Sequence, residues 1–233
     1  MKNGMIVAII GLGVTGMASA TWTDFYTVKT QTSNSGINLD VYQLFARFNG
    51  PTDTVLNAFN LDRTNASGIL NGFYHKDNLD SASPGVLSTT IGSWAPALTG
   101  SALANRPFDS YLTVGGLPTA ANGTSADPSW GNPLSWNRAD IPNNVNAGWF
   151  APGGSIAGRV GQVGNTADSV ILGQFVVAAG TEFGSGYSIT IGFNNGVAGA
   201  PVQFASGTFL GAIPAPGAIA LLGLAGLTGR RRR

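Results

Sequence analysis

The stretch Tyr187-Ser188-Ile189-Thr190-Ile191-Gly192-Phe193 decides the fold, because its large apolar residues recur at every second position. A period of two sends alternate side chains to opposite faces of a β-strand. One face is then buried and the other is solvated, which is typical of antiparallel sheets. The stretch therefore predicts a strand whose four large apolar side chains face a core.

Similar apolar runs recur along the chain and are separated by Gly- and Asn-rich turn signals; they lie at 37–48, 55–61, 108–114, 169–177 and 202–210. No segment of ten or more residues shows helical spacing, and no fixed-period repeat supports a parallel β-helix, the main alternative. We therefore expect an all-β fold, an antiparallel β-sandwich of a jelly-roll-like kind, because two sheets can cover each other's apolar faces.

Two of these runs predict where individual side chains point. In 37–48, Leu39 and Val41 alternate with Asp40, which is expected on the solvated face. In 55–61, Phe59 has the same phase as the apolar residues at both ends of the run and is expected in the core.

The composition excludes several classes of protein. Of the 233 residues, only 10% are charged, against about 25% in an ordinary soluble domain. There is no cysteine, so disulfides, thiolate metal sites and cysteine nucleophiles are excluded. Lys2 and the four terminal arginines supply five of the twelve basic residues, which leaves seven basic and eleven acidic residues, a net charge of −4, in 21–212. Such a body does not suit nucleic-acid binding.

The N-terminus has the order of a secretory signal peptide. A basic start precedes an apolar run at 5–17, and the small residues Ala18 and Ala20 mark a cleavage site before Thr21. The apolar run is shorter than the about 20 residues of a membrane-spanning helix. We expect residues 1–20 to be a helical signal peptide used by Sec-type export machinery.

The same stretch contains the motif Gly11-Leu12-Gly13-Val14-Thr15-Gly16, which has the spacing of a dinucleotide-binding loop. A strand-like run at 22–28 follows it instead of a helix, and no alternation of strands and helices comes later. A nucleotide-dependent oxidoreductase is therefore the remotest alternative.

The C-terminus has three consecutive pieces: an extended break, an uncharged apolar segment at 218–229 and a basic end. Prolines keep the break out of a helix, and arginines stay on the cytoplasmic side of a membrane. The break and the basic end consist of Pro214, Ala215, Pro216 and Gly217, and of Arg230, Arg231, Arg232 and Arg233.

This tail resembles the PEP-CTERM sorting signal of Gram-negative bacteria, in which an exosortase, a membrane-embedded cysteine-dependent enzyme, acts on the tail. The resemblance covers 213–233 alone, and Ala215 stands where the signature has Glu. It implies three things: an exosortase-like membrane protease as a partner, transient membrane contact through the tail, and an association with extracellular polysaccharide.

A permanent membrane anchor is the alternative for the same tail. Residues 217–229 would extend about 20 Å as a helix, against a hydrocarbon core of about 30 Å. Glycines also weaken the helix. We expect a short hydrophobic helix that acts as a transient sorting signal, with permanent anchoring left open.

The segment from about 115 to 164 is rich in Pro and Trp and predicts a long loop. Trp130, Trp136 and Trp149 are candidate ligand-binding residues, because indole faces stack on the apolar faces of sugar rings. The interpretation that we favour is that these side chains close one end of the sandwich as a small core, because large apolar groups are usually buried.

Catalytic candidates are few. His75 is the only histidine, so a Ser-His-Asp triad would have to use it. A glycosidase would need two facing carboxylates from Asp109, Asp127, Asp140 and Glu182. No spacing brings such groups together, and we expect neither enzymatic activity nor a cofactor.

One turn offers a candidate calcium site, because Asp77, Asn78 and Asp80 are rich in oxygen ligands. The twelve-residue EF-hand pattern is absent from it.

These features divide the chain into a signal peptide at 1–20, an ectodomain at 21–212 and a sorting signal at 213–233. The leading interpretation is a protein exported across the inner membrane to the cell surface or the extracellular matrix, with a structural or adhesive role. The alternative is a secreted carbohydrate-binding module or a polysaccharide-acting enzyme that uses the tryptophan-rich loop.

Overall fold

The computed structural model describes residues 19–62, 72–76, 84–95, 107–115, 123–131, 137–138, 140–142, 147–153, 155–162, 164–181 and 187–209. These residues form eleven strands and one short 3-10 helix, Pro128–Trp130. The strands are β1 (Trp22–Asn34), β2 (Ile37–Phe48), β3 (Thr54–Asp62), β4 (Phe73–His75), β5 (Val86–Ser88), β6 (Tyr111–Leu112), β7 (Ser125–Ala126), β8 (Trp149–Phe150), β9 (Ser169–Ala178), β10 (Tyr187–Asn194) and β11 (Gln203–Phe209).

The strands pair into two large antiparallel sheets. One sheet has the order β1-β2-β9-β6, and the other has the order β11-β10-β3-β8-β7. Strands β1 and β2 are joined by a two-residue turn in which Ser35 and Gly36 have positive φ angles of 50° and 80°. Positive φ at both positions is the type I′ geometry, whose twist matches that of the flanking strands.

The main core lies between the two sheets. Leu44 and Leu172 from the four-stranded sheet and Val55 and Ile191 from the five-stranded sheet belong to one buried cluster. Alternate residues of β10 are buried, as the period of two requires.

A two-stranded sheet of β4 and β5 covers part of the outer face of the four-stranded sheet. There Tyr74 packs with Leu39, Val41 and Val176 in a second cluster. Strand β9 is therefore buried along nearly all of its length, because it is covered on both faces.

The predicted all-β, antiparallel fold is confirmed. The two large sheets are sandwich-like, and the jelly-roll-like detail stays a prediction. The predicted flanking helices lie outside the described residues, in which no helix is long and apolar enough to span a membrane.

Both predictions about side-chain direction are wrong. Asp40 is fully buried, because Lys29, Gln31 and Gly180 enclose its carboxylate. Phe59 lies outside both core clusters, since register shifts between β3 and β10 reset the alternation along β3.

Candidate functional site

Two of the predicted ligand-binding tryptophans are core residues. Trp130 ends the 3-10 helix and is 0% exposed, and Trp149 on β8 is 1% exposed. Their ring centroids are 5.7 Å apart, and Trp130 also lies 5.2 Å from Trp94. Neither indole has a free face for a sugar, so the favoured interpretation as a small core describes them. Trp136 lies outside the described residues.

The local sequence explains this burial. Asp127 caps the helix by accepting a hydrogen bond from the backbone N–H of Ser129 at 2.7 Å, a preferred role for Asp at this position. The cap directs Trp130 into the core at the end of a single turn. Trp149 donates from Nε1 to the carbonyl oxygen of Thr113 at 2.9 Å, which satisfies its only polar atom.

Of the described catalytic candidates, His75 and Asp109 are buried, Asp127 serves as the helix cap, and Asp140 is partly exposed. His75 and Asp109 are both 0% exposed, and the Asp109 carboxylate accepts a hydrogen bond from the backbone N–H of Lys76 at 2.5 Å. His75 packs edge-to-face on Trp94 at 4.9 Å. Burial, together with the charge of Asp109, raises the pKa of Tyr111 well above its usual range. None of these buried groups faces a substrate from solvent.

The remaining predicted site residues, apart from Ala20, lie beyond the part of the chain that the structure describes. Asp77, Asn78 and Asp80 lie outside it, as do Glu182, Ala18 and the tail from Pro214 to Arg233. Within the described residues, no three His, Cys, Asp or Glu side chains are grouped so as to hold a metal ion.

The outer face of the five-stranded sheet carries a set of aromatic side chains that the sequence interpretation missed. Pairing places Phe204 of β11, Gly192 of β10, Asn57 of β3 and Phe150 of β8 in one row across the sheet. Phe204 is 66% exposed and Phe150 is 47% exposed. Because β11 and β8 are three strand spacings apart, the Cα atoms of these two phenylalanines are roughly 14 Å apart.

A second row, Ser206, Thr190 and Phe59, lies beside the first on the same face. The ring centroids of Phe59 and Phe204 are 6.0 Å apart and their planes are nearly perpendicular. We call the two rows together, with their three phenylalanines, the aromatic face.

The two rows of the aromatic face contain no charged side chain. Phe204 lies close to Gly192, where a Cβ atom would be 3.3 Å from its ring. The Asn57 side-chain oxygen accepts from Gly192 N at 2.9 Å, and no described group accepts from its Nδ2. The hydroxyls of Thr190 and Ser206 lie 2.8 Å apart. The face therefore combines exposed rings with neutral hydrogen-bonding groups.

The sequence did contain a signal for this face. Along β11, Phe204 has the phase of Ser206 and Thr208, opposite to that of buried Phe209. Phe150 directly follows buried Trp149, so the pleat directs it outward.

A different feature lies at one end of the sandwich, where two shallow cavities of roughly 380 and 360 Å³ share the residues Ser19, Asn195 and Val197. Asp53 lines the smaller cavity and is 3% exposed. Ala20, the residue before the predicted cleavage point, is buried at the edge of the core.

Comparison with protein-family models, with characterised proteins and with solved structures found no match to this chain.

Proposed function

We propose that this chain is an exported, non-enzymatic protein of the cell surface or the extracellular matrix, with an adhesive or structural role. Its two ends support delivery: a signal peptide for Sec-type export, and a tail for an exosortase-like membrane protease. The tail makes transient membrane contact before its removal, and a permanent anchor is the alternative fate.

The aromatic face is the observation that carries the adhesive role. Exposed apolar groups of this kind mark interaction surfaces. A phenyl ring stacks on the C–H face of a sugar ring, and Asn57, Thr190 and Ser206 offer hydrogen-bonding groups to its hydroxyls. The aromatic face is uncharged and 21–212 has a net charge of −4, so a neutral polysaccharide suits it better than an anionic one.

The same observation supports the alternative, a secreted carbohydrate-binding module or a polysaccharide-acting enzyme. The enzyme differs from the adhesive protein and from the carbohydrate-binding module in that it cleaves the bound polysaccharide. Release of soluble sugar from the bound polymer would support the enzyme and contradict the adhesive proposal.

Co-sedimentation with insoluble neutral polysaccharides, such as cellulose and chitin, tests the proposal. Phe204→Ala and Phe150→Ala should each weaken binding about five- to tenfold, because each removes one stacking ring worth about 1 kcal/mol. Ile91→Ala is the matched control, because Ile91 is 52% exposed and lies outside the aromatic face. Equal binding by all three variants, each checked for folding by circular dichroism, would contradict the proposed role of this face.

Mass spectrometry of the intact protein from its native host tests the delivery route. A species that starts at Thr21 and ends near Ile213 is expected. Recovery of Arg233 in a membrane fraction would support the permanent anchor instead.

A further inference from the structure

Two hydrogen bonds to backbone atoms of Thr21, the residue before β1, hold the start of this strand. The carbonyl oxygen of Thr21 accepts a hydrogen bond from the backbone N–H of Asn49 at 3.2 Å. The backbone nitrogen of Thr21 lies 3.4 Å from Oδ2 of Asp53, to which it donates. Both contacts use atoms that would remain if the chain began at this residue.

Asp53 is a nearly buried carboxylate that pairs with no cation among the residues that the structure describes. Its side chain accepts from two backbone N–H groups, those of Thr21 and Gly50, the latter at 3.1 Å. No described Lys, Arg or His forms an ion pair with it, although it is only 3% exposed. A buried carboxylate is costly unless a positive charge or several donors compensate it.

The turn before β3 is shaped around this carboxylate. A Cβ atom on Gly50 would lie 2.6 Å from Oδ1 of Asp53, so the glycine allows the backbone to close over it. The carboxylate is thereby directed at the point where β1 begins.

We propose that Asp53 is the binding site for the α-ammonium group that signal-peptide cleavage creates at Thr21. This inference rests on the proposed export. Water hydrolyses the Ala20–Thr21 peptide bond, its oxygen forms the new carboxylate of Ala20, and the Thr21 nitrogen becomes an amine. An α-amino group has an ordinary pKa of about 7.7–8.0, so most of it is protonated at neutral pH.

Cleavage replaces a weak donor with a strong one. The amide of Thr21 offers one N–H to Asp53, whereas the ammonium group offers three donors and a full charge. The losses are the Ala20 methyl group at the edge of the core and the hydrogen bond that Nε2 of Gln203 donates to the Ser19 hydroxyl at 3.2 Å. Removal of Ser19 also takes away a wall that the two end cavities share.

Urea unfolding of two forms of the protein tests the inference. One form begins at Thr21 and the other at Ser19, and each is prepared with Asp53 and with Asp53→Asn. Asp53→Asn should raise the unfolding equilibrium constant by a factor that is at least five times larger in the form that begins at Thr21 than in the form that begins at Ser19. This extra effect should shrink in 1 M NaCl and disappear when Thr21 is N-acetylated.

Asp40→Asn is the matched control, because Asp40 is a buried carboxylate paired with Lys29. It should destabilise both forms by the same factor. An Asp53→Asn effect that is the same in both forms would overturn the inference.

The residue at which the exported protein begins distinguishes a failure of this inference from a failure of the proposed export on which it rests. A start at Thr21 supports both. A start at Ser19 would leave export intact and overturn the role of Asp53, because the ammonium would then form two residues away. An intact Met1 on the surface protein would contradict the proposed signal-peptide cleavage itself.

Discussion

Gly158 occupies a position at which any side chain would collide with neighbouring atoms. It is buried, and a Cβ atom there would collide with the carbonyl oxygen of Val55 and lie 3.2 Å from Cγ1 of Val114. Gly158→Ala should therefore destabilise the protein by about 1–3 kcal/mol through overpacking. Gly153→Ala is the control, since no atom of the described residues beyond its chain neighbours lies within 4 Å of its Cβ position. Urea unfolding measures both, and equal stability of the two variants would contradict this reason for the glycine.

The carboxylate of Asp40 is an ion-pair site that the alternation of β2 does not reveal. Its Oδ2 is 2.8 Å from Nζ of Lys29 and 2.8 Å from the backbone nitrogen of Gly180, and its Oδ1 is 3.0 Å from Nε2 of Gln31. Burial alone would raise the pKa of Asp40, but these three hydrogen bonds together hold it below its ordinary value. The hydrogen bond to Asp40 raises the pKa of Lys29.

These shifts fix the pH dependence of the pair. Because the pKa of Asp40 is lowered on folding, its contribution is present above about pH 3.9 and is lost as pH falls through the folded value. Because the pKa of Lys29 is raised, its contribution is present below about pH 10.4 and is lost as pH rises through the folded value. Asp40→Asn should cost about 1–3 kcal/mol at pH 7 and progressively less at both extremes. Urea titrations at pH 3, 7 and 11 measure this, and a difference independent of pH would contradict it.

The neighbouring side chains of Trp130 and Trp149 allow a prediction at the scale of an element. Trp149 Nε1 donates to the carbonyl oxygen of Thr113, whereas no described group accepts from buried Nε1 of Trp130. Trp149→Phe and Trp130→Phe remove the same volume from the same cluster, but only the first removes a hydrogen bond. We expect Trp149→Phe to be the more destabilising by about 1–2 kcal/mol in thermal unfolding. Equal losses would show that packing alone determines both effects.

Strand β3 shows how far an element can be predicted from sequence. Val55 and Leu61 are core residues, as the period of two predicts. Phe59 is not, because register shifts along β3 place Ala58 in the core instead. A bulge depends on pairing with a distant strand, here β10, so the local pattern of 55–61 does not contain it.

The two-sheet core follows from the sequence because each apolar face needs a cover. The strand order does not, since the pairing of β3 with β10 and of β2 with β9 joins segments more than a hundred residues apart. The aromatic face was missed for the same reason. Phe204, Asn57 and Phe150 come from three distant segments, and only the pairing of their strands places them in one row.

The whole molecule should be stable without its predicted sorting signal. The core residues that the described chain provides lie between Ala20 and Phe209, so they all precede residue 213. A protein that ends at Ala212 should therefore melt within about 2 °C of one that ends at Arg233, a difference of less than about 1 kcal/mol.

A protein that ends at Val202 provides the contrast, because it also lacks β11. It loses the pairing of β11 with β10 and the stacking of Phe209 on Tyr187 at 5.5 Å, which together cover one edge of the core. We expect its melting temperature to fall by more than 10 °C or its cooperative transition to disappear, in thermal scans followed by circular dichroism. If removal of 213–233 alone lowers the melting temperature by more than about 4 °C, the tail contributes to the folded domain. In that case it would not be a separable sorting signal.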